Sequence, residues 1–175
     1  MTTALLIIDV QEAMFAYPGM EPYDKEGVIG RIQSLLTKAR TSGTPVIYIQ
    51  HTEDGDSEFA KGTPTWEINH LIAPQEGETV IEKSVCDSFH HTTLDEELKR
   101  RGITELVICG MQSDYCVDTT TRRAFTMGYR PILVADAHST FDNGILSAGD
   151  IVKHHNLVLE GSFAVLKPES EVEFA

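Results

Sequence analysis

At 175 residues, with 41% hydrophobic and 23% charged positions, the chain has the size and balance of one globular domain with a sizeable core. A formal net charge of −13 argues against nucleic acid or an anionic membrane as a partner. Three cysteines, odd in number and without Cys-x-x-Cys spacing, fit a reducing compartment better than a disulfide framework.

The start, MTTALLIIDVQ, lacks a basic leader, and Asp9 interrupts its apolar run. No apolar stretch approaches the length of a membrane span, so a cytoplasmic protein is expected. Ala4 to Ile8 is a continuous aliphatic run followed at once by Asp9, the pattern of a buried parallel strand with a polar tip. A loop from Gln11 to Tyr23 carries Phe15, Tyr17, Pro18 and Gly19. Asp24 is placed to cap a helix through Ala39, with Val28, Ile32, Leu35, Leu36 and Ala39 on one stripe and Gly43 as the stop. Pro45 to Ile49 reads as a second strand, ending at Gln50-His51.

The stretch from Thr52 to Gly77 is rich in Gly, Pro, Asp and Glu and holds the only tryptophan, Trp66. Loops that long are usually functional or mobile. Thr79 to Glu82 is a short third strand with Lys83 directly behind it. Thr93 is placed to cap a helix from Leu94 to Arg101, with Glu96 in capping-box position and Gly102 closing it. Leu106 to Cys109 is a fourth strand ended by Gly110. After five irregular residues, Cys116 to Phe125 reads as a helix, with Val117, Ala124 and Phe125 on one stripe and Gly128 as its cap. Arg130 to Ala135 is a fifth strand with Asp136-Ala137-His138 at its tip. Asn143-Gly144 opens a last helix through Asn156, and Ser162 to Leu166 is the final strand.

Strands alternating with helices predict an α/β fold spanning residues 1–175 as a single domain. Its expected form is a three-layer α/β/α sandwich, Rossmann-like, around a six-stranded, mostly parallel sheet of order 3-2-1-4-5-6. Ligands in such sheets bind at the carboxyl ends of the strands. Asp9, Gln50, Lys83, Cys116 and Asp136 all fall just after a strand and can reach one rim. Cys116 sits where strand and loop turn into helix, a place that favours a thiolate; the alternative is a buried cysteine serving as a small hydrophobe. A nucleophilic thiol needs a base, and an Asp beside a Lys supplies one while the ammonium balances charge.

The segments LLIIDVQ, IEKSVCDSF and ICGMQSDYCV resemble the isochorismatase-like cysteine hydrolases, a superfamily that includes nicotinamidases and other amidohydrolases. GTPTWEI and VADAHST extend the resemblance over nearly the whole chain. It implies Asp9 as general base, Lys83 as its charge-balancing partner and Cys116 as nucleophile. It also implies a cis peptide at Met111-Gln112, with the backbone N–H groups of Gln112 and Cys116 forming an oxyanion hole. No cofactor is expected, and the partner is a small-molecule substrate with an amide, ureide or imide C–N bond. A homodimer or homotetramer is expected by the same resemblance.

Nicotinamidases carry Asp-x-His after the second strand, where this chain reads Ile49-Gln50-His51, so no metal site is predicted. His51, Asp54, Asp56 and His70 match no standard ligand spacing and read as surface loop residues. Gln50 is placed to meet substrate, with Phe15 and Trp66 as apolar walls. Cys86 and Cys109 need no catalytic role, His90-His91 read as facing solvent or a subunit neighbour, and His138 is the histidine expected nearest the rim. Two rival readings are a metal-dependent nicotinamidase-like amidase and a non-catalytic binding or thiol-sensing domain.

Overall fold

The computed structural model describes residues 2–174. Six strands form one sheet: β1 (Thr3–Ile8), β2 (Val46–His51), β3 (Thr79–Lys83), β4 (Glu105–Met111), β5 (Arg130–Ser139) and β6 (Val165–Lys167). Their order is β3-β2-β1-β4-β5-β6, and every pairing is parallel. The order and the three-layer architecture are those expected. No helix among the described residues is long and apolar enough to cross a membrane.

Alternation along each strand divides the core between two faces. Leu5, Ile7, Val46, Tyr48, Val107 and Cys109 point toward α1 (Lys25–Ser42), whose Val28, Ile32, Leu35, Leu36 and Ala39 complete that cluster. Leu6, Ile8, Ile47, Ile49, Leu106 and Ile108 point to the opposite face. There they meet Leu94 and Leu98 of α2 (Leu94–Arg100), Ala124 of α3 (Asp118–Thr126) and Leu159 of α4 (Ala148–Leu159). Burying each such aliphatic side chain stabilises by roughly 1.5–3 kcal/mol. The doubly buried β1 therefore anchors the sheet that holds the rim.

Several boundaries move. Helix α1 runs on to Ser42, where Gly43, at φ 72°, donates to the carbonyls of Ala39 and Arg40. Asp24 stands at its N-cap in left-handed backbone but makes no side-chain cap bond; its carboxylate pairs with Arg31 instead. The capping box at α2 does not form either: Thr93 makes no side-chain cap bond, and it is Thr92 Oγ1 that accepts from the Leu94 N–H. Helix α4 starts at Ala148 behind Ser147, whose side chain accepts from the Asp150 N–H. Asn143 closes a local turn, accepting from the N–H groups of Ile145 and Leu146.

Near Cys116 the backbone departs from the expected helix. Winding begins at Ser113 as a π-helical turn (Ser113–Val117) that runs directly into α3. Its Val117 N–H bonds back to the Gln112 carbonyl at 3.1 Å. Cys116 thus lies at a π-to-α junction, and Phe125, expected on the buried stripe, is 48% exposed. Such π turns tend to occur at functional sites. Strand β4 also runs through Gly110, at φ 119°, where an added Cβ would stand 2.1 Å from the Ile8 carbonyl oxygen. Only glycine lets β1 and β4 stay this close.

Candidate active site

Three strand ends bring Asp9, Lys83 and Cys116 together. Asp9 follows β1 with a φ of 48°, Lys83 ends β3, and Cys116 is delivered by the turn after β4. Lys83 Nζ donates to Asp9 Oδ2 at 2.7 Å and to Cys116 Sγ at 3.3 Å. Asp9 and Lys83 are almost wholly buried, and Cys116 keeps 9% of its surface. The second oxygen, Asp9 Oδ1, is buried with no hydrogen-bond partner among the described residues. An unmet buried carboxylate oxygen is costly, and in a native site it calls for an explanation.

The charges fix a resting state. Burial works against the Lys83 ammonium, but the Asp9 carboxylate and the neighbouring Cys116 sulfur together outweigh it and raise its pKa. Burial, and then the charge of Asp9, push the Cys116 thiol well above the ordinary range, with Lys83 offsetting part of this. An ammonium, a carboxylate and a thiol sum to zero net charge. Ionising the thiol alone would add an unbalanced anion to a buried site. Passing its proton to Asp9 would not. That balance and the raised titration of Cys116 both favour the thiol over the helix-terminus thiolate expected from the sequence.

The Met111-Gln112 peptide is cis, as the resemblance implied. Thr140 Oγ1 donates to Asp114 Oδ1 at 2.5 Å and lies 3.3 Å from the Gln112 side-chain oxygen. Just behind, Ser113 Oγ lies 2.7 Å from His138 Nδ1, and His138 Nε2 lies 2.8 Å from Asn156 Oδ1. Asn156 in turn donates to the Ala135 carbonyl. His138 is inside β5, not at its tip, and burial lowers its pKa to about 4.

The hydrogen bonds and ring contacts of the remaining expected residues run to other partners than Cys116. Asp136 is also within β5, where it accepts from the Glu169 N–H at 2.8 Å and stands 3.8 Å from Arg31; it is not in the group around Cys116. Gln50 is buried on the α1 side and donates to the Trp66 carbonyl at 2.9 Å. Gln11, which sequence reading passed over, donates to that carbonyl and to the His51 carbonyl, and accepts from the His51 N–H. Trp66 Nε1 donates to Thr52 Oγ1, and Lys61 lies over its ring. Phe15 packs on the α1-side core and edges a cavity of about 440 Å³ with Ile29 and Leu71. A second cavity, about 420 Å³, opens beside Lys83 between Thr52, Glu53, Asp54, Glu82, His90 and His91.

The surface-loop reading holds for His70, which is exposed and bonded to Glu12, but not for His51. His51 is the last residue of β2, paired in register with Lys83, and its imidazole is largely buried. Among the described residues no three His, Cys, Asp or Glu side chains are arranged to hold a metal. Cys109 lies inside β4, and burial alone raises its pKa.

The chain thus places a buried Asp–Lys–Cys group at the carboxyl edge of a six-stranded parallel sheet. Residues 3–149 match the isochorismatase domain model, and the chain belongs to the isochorismatase family of hydrolases. It is 36% identical over 173 residues to the uncharacterized isochorismatase family protein YddQ of Bacillus subtilis, covering 95% of this chain and 96% of that one. It is 38% identical to streptothricin hydrolase of Streptomyces noursei over 85% of its own length and 52% of the relative's, so it spans about half of that protein. The crystal structure of N-carbamoylsarcosine amidase from Thermoplasma acidophilum superposes with a TM-score of 0.83 at 26% identity, covering 99% of this chain and 100% of that one.

Proposed function

We propose that this hydrolase cleaves a C–N bond of a small amide, ureide or imide through a thioester on Cys116. The observation that carries the reading is the single ammonium of Lys83 shared between Asp9 Oδ2 and Cys116 Sγ, beside a carboxylate oxygen with no partner among the described residues. The amidase named among the structural relatives supports the bond type.

Asp9 takes the thiol proton as Sγ attacks the carbonyl carbon, so the buried charge stays balanced throughout. The backbone N–H groups of Gln112 and Cys116 hold the oxyanion; one such donor is worth about 3 kcal/mol of barrier. The tetrahedral adduct collapses, the C–N bond breaks, and the proton on Asp9 passes to the departing nitrogen. Asp9 then takes a proton from water as the water oxygen attacks the thioester. Collapse of that adduct releases the acid, and Asp9 returns the proton to sulfur. Lys83 stays charged and positions both partners.

Ammonia or amine release from a panel of small amides, ureides and imides, with wild type and Cys116→Ala in parallel, tests this. Release by wild type alone is expected. Release by both would move the chemistry away from Cys116, and a panel extended to nicotinamide with metal analysis addresses the nicotinamidase-like alternative.

A further inference from the structure

Lys83 carries three ammonium protons and meets three acceptors. Two are Asp9 Oδ2 and Cys116 Sγ; the third is His51 Nδ1, at 3.3 Å. An ammonium only donates, so Nδ1 must be the unprotonated nitrogen of a neutral imidazole, which places the ring proton on Nε2. The other side of the ring agrees: Nε2 lies 3.0 Å from Glu53 Oε1, a carboxylate that only accepts. Ser57 donates to the other oxygen of Glu53, and Phe59 stands edge-on to the imidazole at 5.4 Å. One tautomer and one ring orientation satisfy every contact.

We infer that His51 is a positioning residue for the reaction, holding the Lys83 ammonium midway between base and nucleophile. The inference rests on the proposed roles of Asp9, Lys83 and Cys116. The ionised carboxylate, 2.7 Å from Nζ, is a stronger acceptor than the larger, softer sulfur at 3.3 Å. Without a third acceptor the ammonium settles on Asp9. That leaves the forming thiolate without its counter-ion and makes Asp9 a weaker base, so both halves of the proton transfer suffer. The Glu53 carboxylate behind the ring strengthens Nδ1 as an acceptor, as carboxylates do behind the ring N–H of metal-bound histidines.

Two measurements test it. In wild type, the imidazole nitrogen spectrum of His51 should show an unprotonated Nδ1 and a protonated Nε2; the opposite tautomer overturns the inference without any mutation. Second, the rate of Cys116 alkylation by iodoacetamide, followed by peptide mass mapping so that the Cys86 adduct is counted separately, is compared in wild type, His51→Leu and His51→Asn. The leucine variant should lose roughly 5- to 10-fold in rate, a modest share of what positioned proton transfer contributes. On a substrate found in the amide panel, the loss should fall on kcat with little change in KM. The asparagine variant, whose side-chain oxygen can stand near the place of Nδ1, should recover most of it.

Equal rates in all three proteins, or equal impairment in both variants, overturns the positioning role. If instead wild-type Cys116 reacts no faster than an ordinary thiol and no amide is hydrolysed, the proposed chemistry itself falls, and His51's role with it.

Discussion

Replacing Asp9 with asparagine should separate two properties that usually travel together, thiol ionisation and turnover. Asp9 Oδ2 and Cys116 Sγ both touch Lys83 Nζ, by legs of 2.7 and 3.3 Å, so they lie no more than about 6 Å apart. At an effective dielectric of about 20, two negative charges at that distance repel by roughly 3 kcal/mol. Removing the carboxylate charge therefore lowers the Cys116 titration by about two pH units. It also leaves Lys83 without a counter-ion, and the thiolate becomes the one available. Asp9→Asn should thus ionise Cys116 more readily than wild type while losing on the order of 10²–10⁴-fold in turnover, having no group to carry the proton. Ultraviolet thiolate absorbance against pH, with Asp9→Asn/Cys116→Ala as the blank for Cys86 and Cys109, reads the first effect. Product release reads the second. A Cys116 titration that stays put or rises would refute the charge-balance reasoning, and surviving turnover would refute the role of Asp9.

Lys83→Met strands a buried carboxylate, so it should cost about 3–5 kcal/mol in urea unfolding and abolish turnover. Asp9→Asn should cost less, because Cys116 can replace the lost charge; an equal cost in both would contradict that exchange. His138 is neutral in the fold, its pKa lowered from 6.5 to about 4 by burial, whereas the unfolded chain protonates below its ordinary value. The unfolded state binds more protons in that window, so stability falls as pH drops from 6.5 toward 4, by at most about 3 kcal/mol. His138→Gln should flatten that part of the pH profile, read from urea midpoints, and an unchanged slope would assign the acid sensitivity elsewhere. Gly110→Ala puts a methyl 2.1 Å from the Ile8 carbonyl oxygen at a φ that alanine resists, and should cost about 3 kcal/mol or more. A cost under about 1 kcal/mol would mean that β1 and β4 separate easily.

The sheet was legible because its strands advertise themselves. The aliphatic runs of β1, β2 and β4 are buried on both faces, and each ends at a residue of another character. The strand ends also pointed to Asp9, Lys83 and Cys116 as neighbours. What stayed hidden depends on pairing. Asp136-Ala137-His138 resembles a polar strand tip, yet β5 continues to Ser139 by shifting register against β4 between Ile108 and Gly110. That shift places His138 beside Gly110 and leaves Asp136 to Arg31 and Glu169. A π turn has no hydrophobic period of its own, so the winding at Ser113 read as loop. His51 read as a surface histidine because its partner is set by the register that pairs it with Lys83, 32 residues away. Ser147 and Asn143 are both good caps, and only the fold decides which one opens α4.

The central claim is a covalent one, that the acyl group of the substrate passes through Cys116 sulfur. Rapid acid quench during turnover of an amide from the panel, followed by mass analysis of the peptide carrying Cys116, tests it directly. The account predicts an acyl adduct on that peptide in wild type and none in Cys116→Ala, which should fold normally and release no product. Steady turnover without an adduct, or turnover that persists in Cys116→Ala, would contradict it.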